Sequence, residues 1–335
     1  MREQDLSDLL RGLGRTEMTL LKTRTKPKTQ TKPKPQKLVP KKRTAVAVAD
    51  PADPKEKAVP IKAVYMMTDL EGVAGVDDWD PRHRDDATTA KGVYDRAEMQ
   101  RLLTGEVNAA VEGLFAAGVK EILINDAHGA GRTILSEELL AGVKLVQGVS
   151  RPCWLPGLST RFDALIQVGM HSMTGTPNGC LAHSMSRDVI YRVNGVEVGE
   201  MEMAAYLCGH LGIPWIFTSG DLYACTESQR WVDGIVTAPV KEGLGELCAI
   251  HMTPVDARES IKARVQEAIK AAKNIEPLIA KGPVAMEVIF PEPGPVTLKD
   301  GVERVDAFTV RCEGESFWQV FHQYYYGKPN FPVPG

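Results

Sequence analysis

The chain has 335 residues, 43% of them hydrophobic, and a formal net charge of −3: ample for a buried core, and short for three ordinary domains. The charge is uneven, with 15 Lys/Arg against 7 Asp/Glu in residues 1–60 and 25 against 36 in the rest, and an acidic body argues against a nucleic-acid-binding core. No run of 18 apolar residues occurs and charges interrupt the leucines of the first 20 residues, so neither a membrane-spanning helix nor a signal peptide is expected, and a cytoplasmic location is the expectation.

Residues 5–21 place Leu6, Leu9, Leu10 and Leu13 at helical spacing, weakened by Gly12 and Gly14. Residues 22–43 hold ten basic residues, four prolines and no acid. Such a segment repels itself and has little to bury, so residues 1–60 read as a disordered basic tail and linker. A polyanion contact through this arm is the one route by which nucleic acid would enter.

Order is expected from about Ile61, as one catalytic domain over 61–335 with a smaller C-terminal α/β subdomain from about 235. Residues 63–69 read as a strand and are followed by a loop rich in Asp and Arg. Leu103, Val107, Val111 and Leu114 mark a helix over 95–117 that Gly118 closes. EILIND, KLVQG and ALIQVGM read as strands. DVIYRVNGVEV carries Asn194-Gly195 between apolar runs, a hairpin signature. Residues 199–211 look helical, IPWIFTSGD is a buried strand, and a helix spans about 256–273. AMEVIF, VDAFTVRC and FWQVFHQYYY then read as strand, strand, helix. Strands alternating with helices imply an α/β fold with a mostly parallel sheet flanked by helices, and the continuous apolar strands fit a sheet covered on both faces. The six scattered cysteines contain no CxxC pair and read as buried, reduced thiols.

In such sheets ligands gather beyond the carboxyl ends of the strands. Asp69, Glu71, His128 and His171 all fall just after predicted strands, and Glu200 opens a predicted helix. Carboxylates mixed with imidazoles suit zinc or a similar divalent ion. Five such ligands exceed what one catalytic zinc takes from a protein and suffice for two ions sharing a carboxylate. Asp69 and Glu71, two apart in extended chain, face one side. His183, in LAHSMS, has no strand-end carboxylate beside it and reads as catalytic: proton shuttle, nucleophile or oxyanion partner. His83, His210, His251 and His322 look structural. Arg132, in GAGRT, reads as a surface charge in preference to a contact for a peptide carboxylate. The constellation predicts metal-assisted hydrolysis. A dinuclear phosphoesterase and a non-catalytic, metal-stabilised peptide-binding protein are the alternatives, the former disfavoured by the lack of a GxxxxGK[ST] phosphate cradle.

TDLEG, INDAH, VGMHS, AHSM and the VNG-x-x-VGE-x-x-x-x-A segment, in this order across residues 62–330, resemble the D-aminopeptidase family of dinuclear zinc metallopeptidases. Thr104, Glu106 and Asn108 repeat its T-x-E-x-N element. The resemblance implies two zinc ions per subunit, with Asp69 bridging and Glu71, His128, His171 and Glu200 completing the two spheres. It implies His183 as the catalytic histidine, and an aminopeptidase acting on short peptides or aminoacyl amides with a D-residue preference. It also implies a homodecamer with an enclosed channel. Met67 and Ala127 stand where the family has Ser; neither is a ligand position, so the departures bear on hydrogen bonding around the metals.

Overall fold

The computed structural model describes residues 60–129, 131–293 and 298–332, which belong to one compact unit, Lys57–Gly335. The basic tail, apart from Pro60, lies outside the described residues.

The main sheet contains β1 (Ala63–Thr68), β2 (Glu121–Asp126), β3 (Lys144–Val146), β4 (Ala164–Met170), β7 (Trp215–Asp221), β8 (Val236–Gly245) and β9 (Cys248–His251). Their spatial order is β3-β2-β1-β4-β7-β8-β9. All pairs are parallel except β8 with β9. Every residue of β1, β4 and β7 is buried, as their largely apolar sequences suit strands with both faces covered. Helices α1 (Ala90–Ala116), α2 (Glu200–His210), α3 (Leu222–Trp231), α4 (Pro254–Ala271) and α5 (Phe317–Tyr326) complete an α/β architecture in which helices flank the sheet. A second, antiparallel sheet of order β11-β12-β10-β5-β6 is built from β5 (Ile190–Val193), β6 (Val196–Val198), β10 (Val284–Ile289), β11 (Val302–Arg304) and β12 (Thr309–Gly314). The β5–β6 hairpin turns on Asn194 at φ 51° and Gly195 at φ 80°, the left-handed pair that a tight two-residue turn needs.

The expected subdomain boundary near 235 does not match this topology. β8, β9 and α4 lie with the main sheet, while the second sheet takes β5 and β6 from upstream of that point. The cause is β8, whose Pro239, Lys241 and Gly243 hide a central strand. Lys241 is 3% exposed because its ammonium donates to the carbonyls of Glu71 and Val76. Helix α1 starts five residues before the expected 95. Thr89 caps it by accepting from Gly92 N, and its first turn leaves Val93 and Tyr94 exposed, so no apolar spacing announces it. Of the cysteines expected to be buried, Cys180, Cys208, Cys225 and Cys312 are; Cys153 is partly buried and Cys248 is exposed on the edge strand β9.

The chain runs from β1 to β2 and β3 on one side, then returns to β4 on the other side of β1. The strand order therefore reverses between β1 and β4, the place where open α/β sheets form ligand sites. The ends of these two strands touch. Asp69 N donates to Val168 O and Gly72 N to Gly169 O. A Cβ on Gly72 would stand 1.9 Å from the Met170 carbonyl oxygen, and one on Gly169 (φ +77°) 2.2 Å from that of Asp69. Only glycine permits this approach, and the approach sets Asp69 beside His171.

Candidate metal centre

Asp69 is 4% exposed and its two carboxylate oxygens face two histidines. Oδ1 lies 3.1 Å from His128 Nδ1, and Oδ2 lies 3.1 Å from His171 Nε2. Glu71 Oε2 is 3.0 Å from His128 Nδ1, and Glu200 Oε1 is 3.6 Å from His171 Nε2. Glu200 is the first residue of α2, and its Oε1 accepts from Met185 N at 2.6 Å. His183 stacks on His171, ring centroids 3.9 Å apart and planes 14° apart, with its Nε2 3.8 Å from Glu200 Oε1. Asp69, Glu71 and His171 each bring a ligand atom within 4.8 Å of the others, as do His171, His183 and Glu200. His128 joins the first group through Nδ1.

The tautomers decide what this arrangement holds. His171 Nδ1 lies 2.9 Å from Ser172 O. A carbonyl only accepts, so Nδ1 carries the hydrogen and a neutral ring turns its Nε2 lone pair on Asp69 and Glu200. His128 behaves alike, its Nε2 lying 3.2 Å from Asp80 Oδ2 and its Nδ1 facing Asp69 and Glu71. Lone pairs aimed at carboxylates repel unless a proton or a cation lies between. His171 Nε2 and Glu71 Oε2 are buried without a hydrogen-bond partner, as ligand atoms awaiting a cation would be. An imidazole backed by a carboxylate is also the usual arrangement of a zinc-binding histidine. The residues fit a divalent metal.

Burial opposes charge on both histidines, but the carboxylates prevail. Glu71, Asp69 and Asp80 push His128 well above the usual imidazole range, and Asp69 and Glu200 do the same to His171. Burial likewise opposes charge on Asp69, which the two imidazoles beside it hold well below the carboxylate range. The cluster therefore binds protons where metal is absent. Behind it, Glu202 accepts from Gly199 N and Glu227 from Met173 N. Burial pushes both acids up, and they interact directly. This pair ties the segment after His171 to the start of α2. Thr104, Glu106 and Asn108 bond the loops that follow β1 and β2: Glu106 accepts from Ala74 N, Thr104 from Leu135 N, and Asn108 clamps Glu138 and Leu140. Burial raises Glu106 to about 7.

A cavity of about 480 Å³ opens onto Asp69, Glu71, His128, His183 and Glu200, and is walled by Trp79, His83, Trp154, Met185 and Arg187. Its size suits a small ligand.

The family model described as D-aminopeptidase (Peptidase_M55) matches residues 63–324. The chain belongs to this family. It is therefore an enzyme, a peptidase. A D-aminopeptidase of Bacillus subtilis (strain 168) is 27% identical over 217 residues, 64% of this chain and 76% of its own length. The solved structure of the Zn-dependent D-aminopeptidase DppA from Bacillus subtilis, described as a self-compartmentalizing protease, matches with a TM-score of 0.71 and 24% identity. The match covers 78% of this chain and 94% of that one, and it shows the fold.

All six residues singled out in the sequence thus meet in one place, and a second set joins them. Asp80 is 1% exposed and braces His128 while accepting from Arg82. Trp79 packs T-shaped against the His183 ring, centroids 5.2 Å apart. His83, read as structural, lines the cavity of this D-aminopeptidase-family enzyme and lies 6.3 Å from the His128 ring. Arg132 is exposed and outside the cavity. The one available signal for the missed residues was the Asp/Arg run itself, which reads as a solvated loop. It is instead folded by ion pairs, with Arg84 holding Asp78, Asp86 and Asp95.

Two outcomes follow from this geometry. Asp80→Asn keeps an acceptor but removes the charge behind His128, and is expected to weaken zinc affinity roughly 10- to 100-fold with the fold intact. Equilibrium dialysis measures it, and unchanged affinity would detach Asp80 from the centre. The second concerns pH. In metal-free protein the raised imidazoles stabilise the fold below about pH 6.5, and that contribution is lost as pH rises through their folded values. Zinc must displace these protons, so its apparent affinity is expected to rise with pH, with proton release on binding at pH 6.5 that shrinks in alkali. Calorimetry in buffers of different ionisation enthalpy counts the protons; none released at pH 6.5 would mean that these imidazoles meet no cation.

Proposed function

We propose that the enzyme is a zinc-dependent aminopeptidase that cleaves short peptides or aminoacyl amides, with a preference for D-residues, at a centre of two ions. Asp69 would bridge them, with Glu71 and His128 holding one and His171 and Glu200 the other. The observation that carries this reading is the single Asp69 carboxylate facing two imidazole lone pairs, one per oxygen. Bound there, divalent ions supply Lewis-acid polarisation of a carbonyl and acidification of water.

The chain's own groups provide the rest. His183 Nδ1 donates to Leu181 O at 2.9 Å, so in the neutral ring the lone pair sits on Nε2. Its side chain is 15% exposed against 1% for His171, so it remains open to substrate where the other ring is enclosed. A base so placed takes a proton from the attacking group and returns it to the departing amine nitrogen. Asp69, Glu71 and Glu200 give the cavity floor a negative lining that favours a free α-ammonium group. Trp79 and Trp154 exclude water from its walls. The D-preference and the metal identity rest on the names of the similar proteins, a D-aminopeptidase and a Zn-dependent D-aminopeptidase.

We further infer a homo-oligomer, ten subunits by family resemblance. The β8–β9 hairpin at the sheet edge leaves Leu244, Leu247 and Ile250 more than half exposed, an apolar edge that a second copy would cover, and the solved relative is described as self-compartmentalizing. A monomeric mass by light scattering would reject it.

His183→Ala is expected to lower kcat by at least about 100-fold while zinc content stays at two per subunit. Kinetics on D- and L-aminoacyl amides, paired with metal analysis, tests this. Full activity removes His183 from the mechanism, zinc bound without turnover in the wild type favours a binding protein, and faster cleavage of the L-series corrects the stereochemistry alone.

A further inference from the structure

Arg187 is the sole lysine or arginine among the described residues that line the cavity. It stands four residues after His183, and its guanidinium carbon lies 3.9 Å from the centroid of the Trp79 ring. The same indole packs T-shaped against His183, ring centroids 5.2 Å apart, so the guanidinium and the catalytic imidazole share one aromatic neighbour. The segment between them is tightly built. Leu181, Met185 and Asp188 all adopt positive φ, at 56°, 59° and 60°, conformations that persist in such residues only where the surroundings enforce them. Leu181 N donates to Glu246 O, Met185 N to Glu200, and Thr174 N to Ser184 Oγ. Among the described residues Arg187 has one ion-pair partner, Glu246, at 3.7 Å, with both side chains more than half exposed. An ion pair that long and that wet contributes little, so it does not account for the placement.

The same cavity is lined by the carboxylates Asp69, Glu71 and Glu200. The cavity thus combines acids and metal ligands with one planar, fork-shaped cation. An arginine held over an indole ring loses less freedom on binding a carboxylate, which it can grip bidentately. An extended chain advances about 3.5 Å per residue. The two ring distances put the guanidinium no more than about 9 Å from the His183 ring, a gap that one such residue with a hydrogen bond of about 3 Å at each end spans.

We propose that Arg187 determines specificity by taking the free terminal carboxylate of a dipeptide whose scissile amide lies at His183. The proposal rests on the aminopeptidase reading and narrows it to dipeptides with an unblocked C-terminus. Arg187 touches the leaving residue and takes no part in proton transfer.

The test compares alanyl-alanine, in the stereochemistry that the enzyme cleaves, with its C-terminal amide. The zinc-loaded wild type is expected to prefer the free acid in kcat/KM. Arg187→Ala is expected to reduce that preference roughly 10- to 100-fold, mainly through KM, and Arg187→Lys to restore part of it. Glu246→Ala is expected to keep or strengthen it. An acid-to-amide ratio equal in wild type and Arg187→Ala overturns the proposal, as does an equal fall for both substrates. Calorimetric binding of the two probes to His183→Ala protein, with and without Arg187→Ala, gives a readout free of turnover: preferential binding of the acid that is lost with Arg187 supports the assignment, and equal binding rejects it. Should the wild type cleave neither probe, the peptidase reading fails, and this binding comparison still decides the role of Arg187.

Discussion

The rest of the site is arranged around one carboxylate that cannot satisfy its surroundings alone. Asp69 is buried, and each of its oxygens meets an imidazole nitrogen at 3.1 Å. Glu71 adds a second buried carboxylate and Glu200 a partly buried one within a few ångströms. Three such charges beside two neutral rings would be strongly destabilising in a protein interior. Protons on the rings or cations between them relieve the conflict, and the anchored tautomers of His128 and His171 point the lone pairs where a cation would lie. The contact between the ends of β1 and β4 is therefore a chemical necessity as much as a packing one. Gly72 and Gly169 have no room for a Cβ because Asp69 must come within bonding distance of the element that carries His171.

Holding that cluster in place requires more protein than the cluster itself. Lys241 reaches from β8 under the Asp69–Glu71 turn and bonds the carbonyls of Glu71 and Val76. Asp80 and Arg82 brace His128, and Arg82 continues to the Gly131 carbonyl. Glu202 and Glu227 connect the segments of Glu200 and His171 from behind. Each brace comes from a different element, so the ligand positions are over-determined, as a preorganised metal site demands.

The sequence reveals those features that obey a local rule. Strands with both faces covered are rich in apolar residues, so β1, β2, β4 and β7 are visible, and the strand-end rule then picks out Asp69, His128 and His171. Asn194-Gly195 announces its turn because no other common pair accepts two left-handed residues so easily. Glu200 is visible as an acid at a helix start. The braces obey no local rule. Asp80 sits among Asp77, Asp78, Asp85 and Asp86, and nothing nearby in the chain separates the one that turns inward from those that stay wet. Lys241 makes β8 look like a loop because its partner carbonyls lie some 170 residues upstream. Arg187 gains meaning only from Trp79, which the chain reaches over a hundred residues earlier. Both the hidden strand and the interleaving of the two sheets follow from such long-range pairing.

The stacked pair of His171 and His183 shows why type and spacing alone do not assign roles. Both rings anchor Nδ1 on a backbone carbonyl at 2.9 Å, and both present Nε2 toward Glu200 Oε1, at 3.6 and 3.8 Å. Locally they are near twins, and either would serve a metal. Their surroundings separate them. His171 also faces Asp69 Oδ2 and is enclosed, so its lone pair has nowhere to go but the cluster. His183 lies one ring outward, has no contact of that kind with Asp69, and borders the cavity with Trp79 at its edge. Catalytic metal sites need an open position beside filled ones. The stack provides this by putting an enclosed imidazole beneath an accessible one, so that the outer ring can meet substrate without leaving the ligand set incomplete.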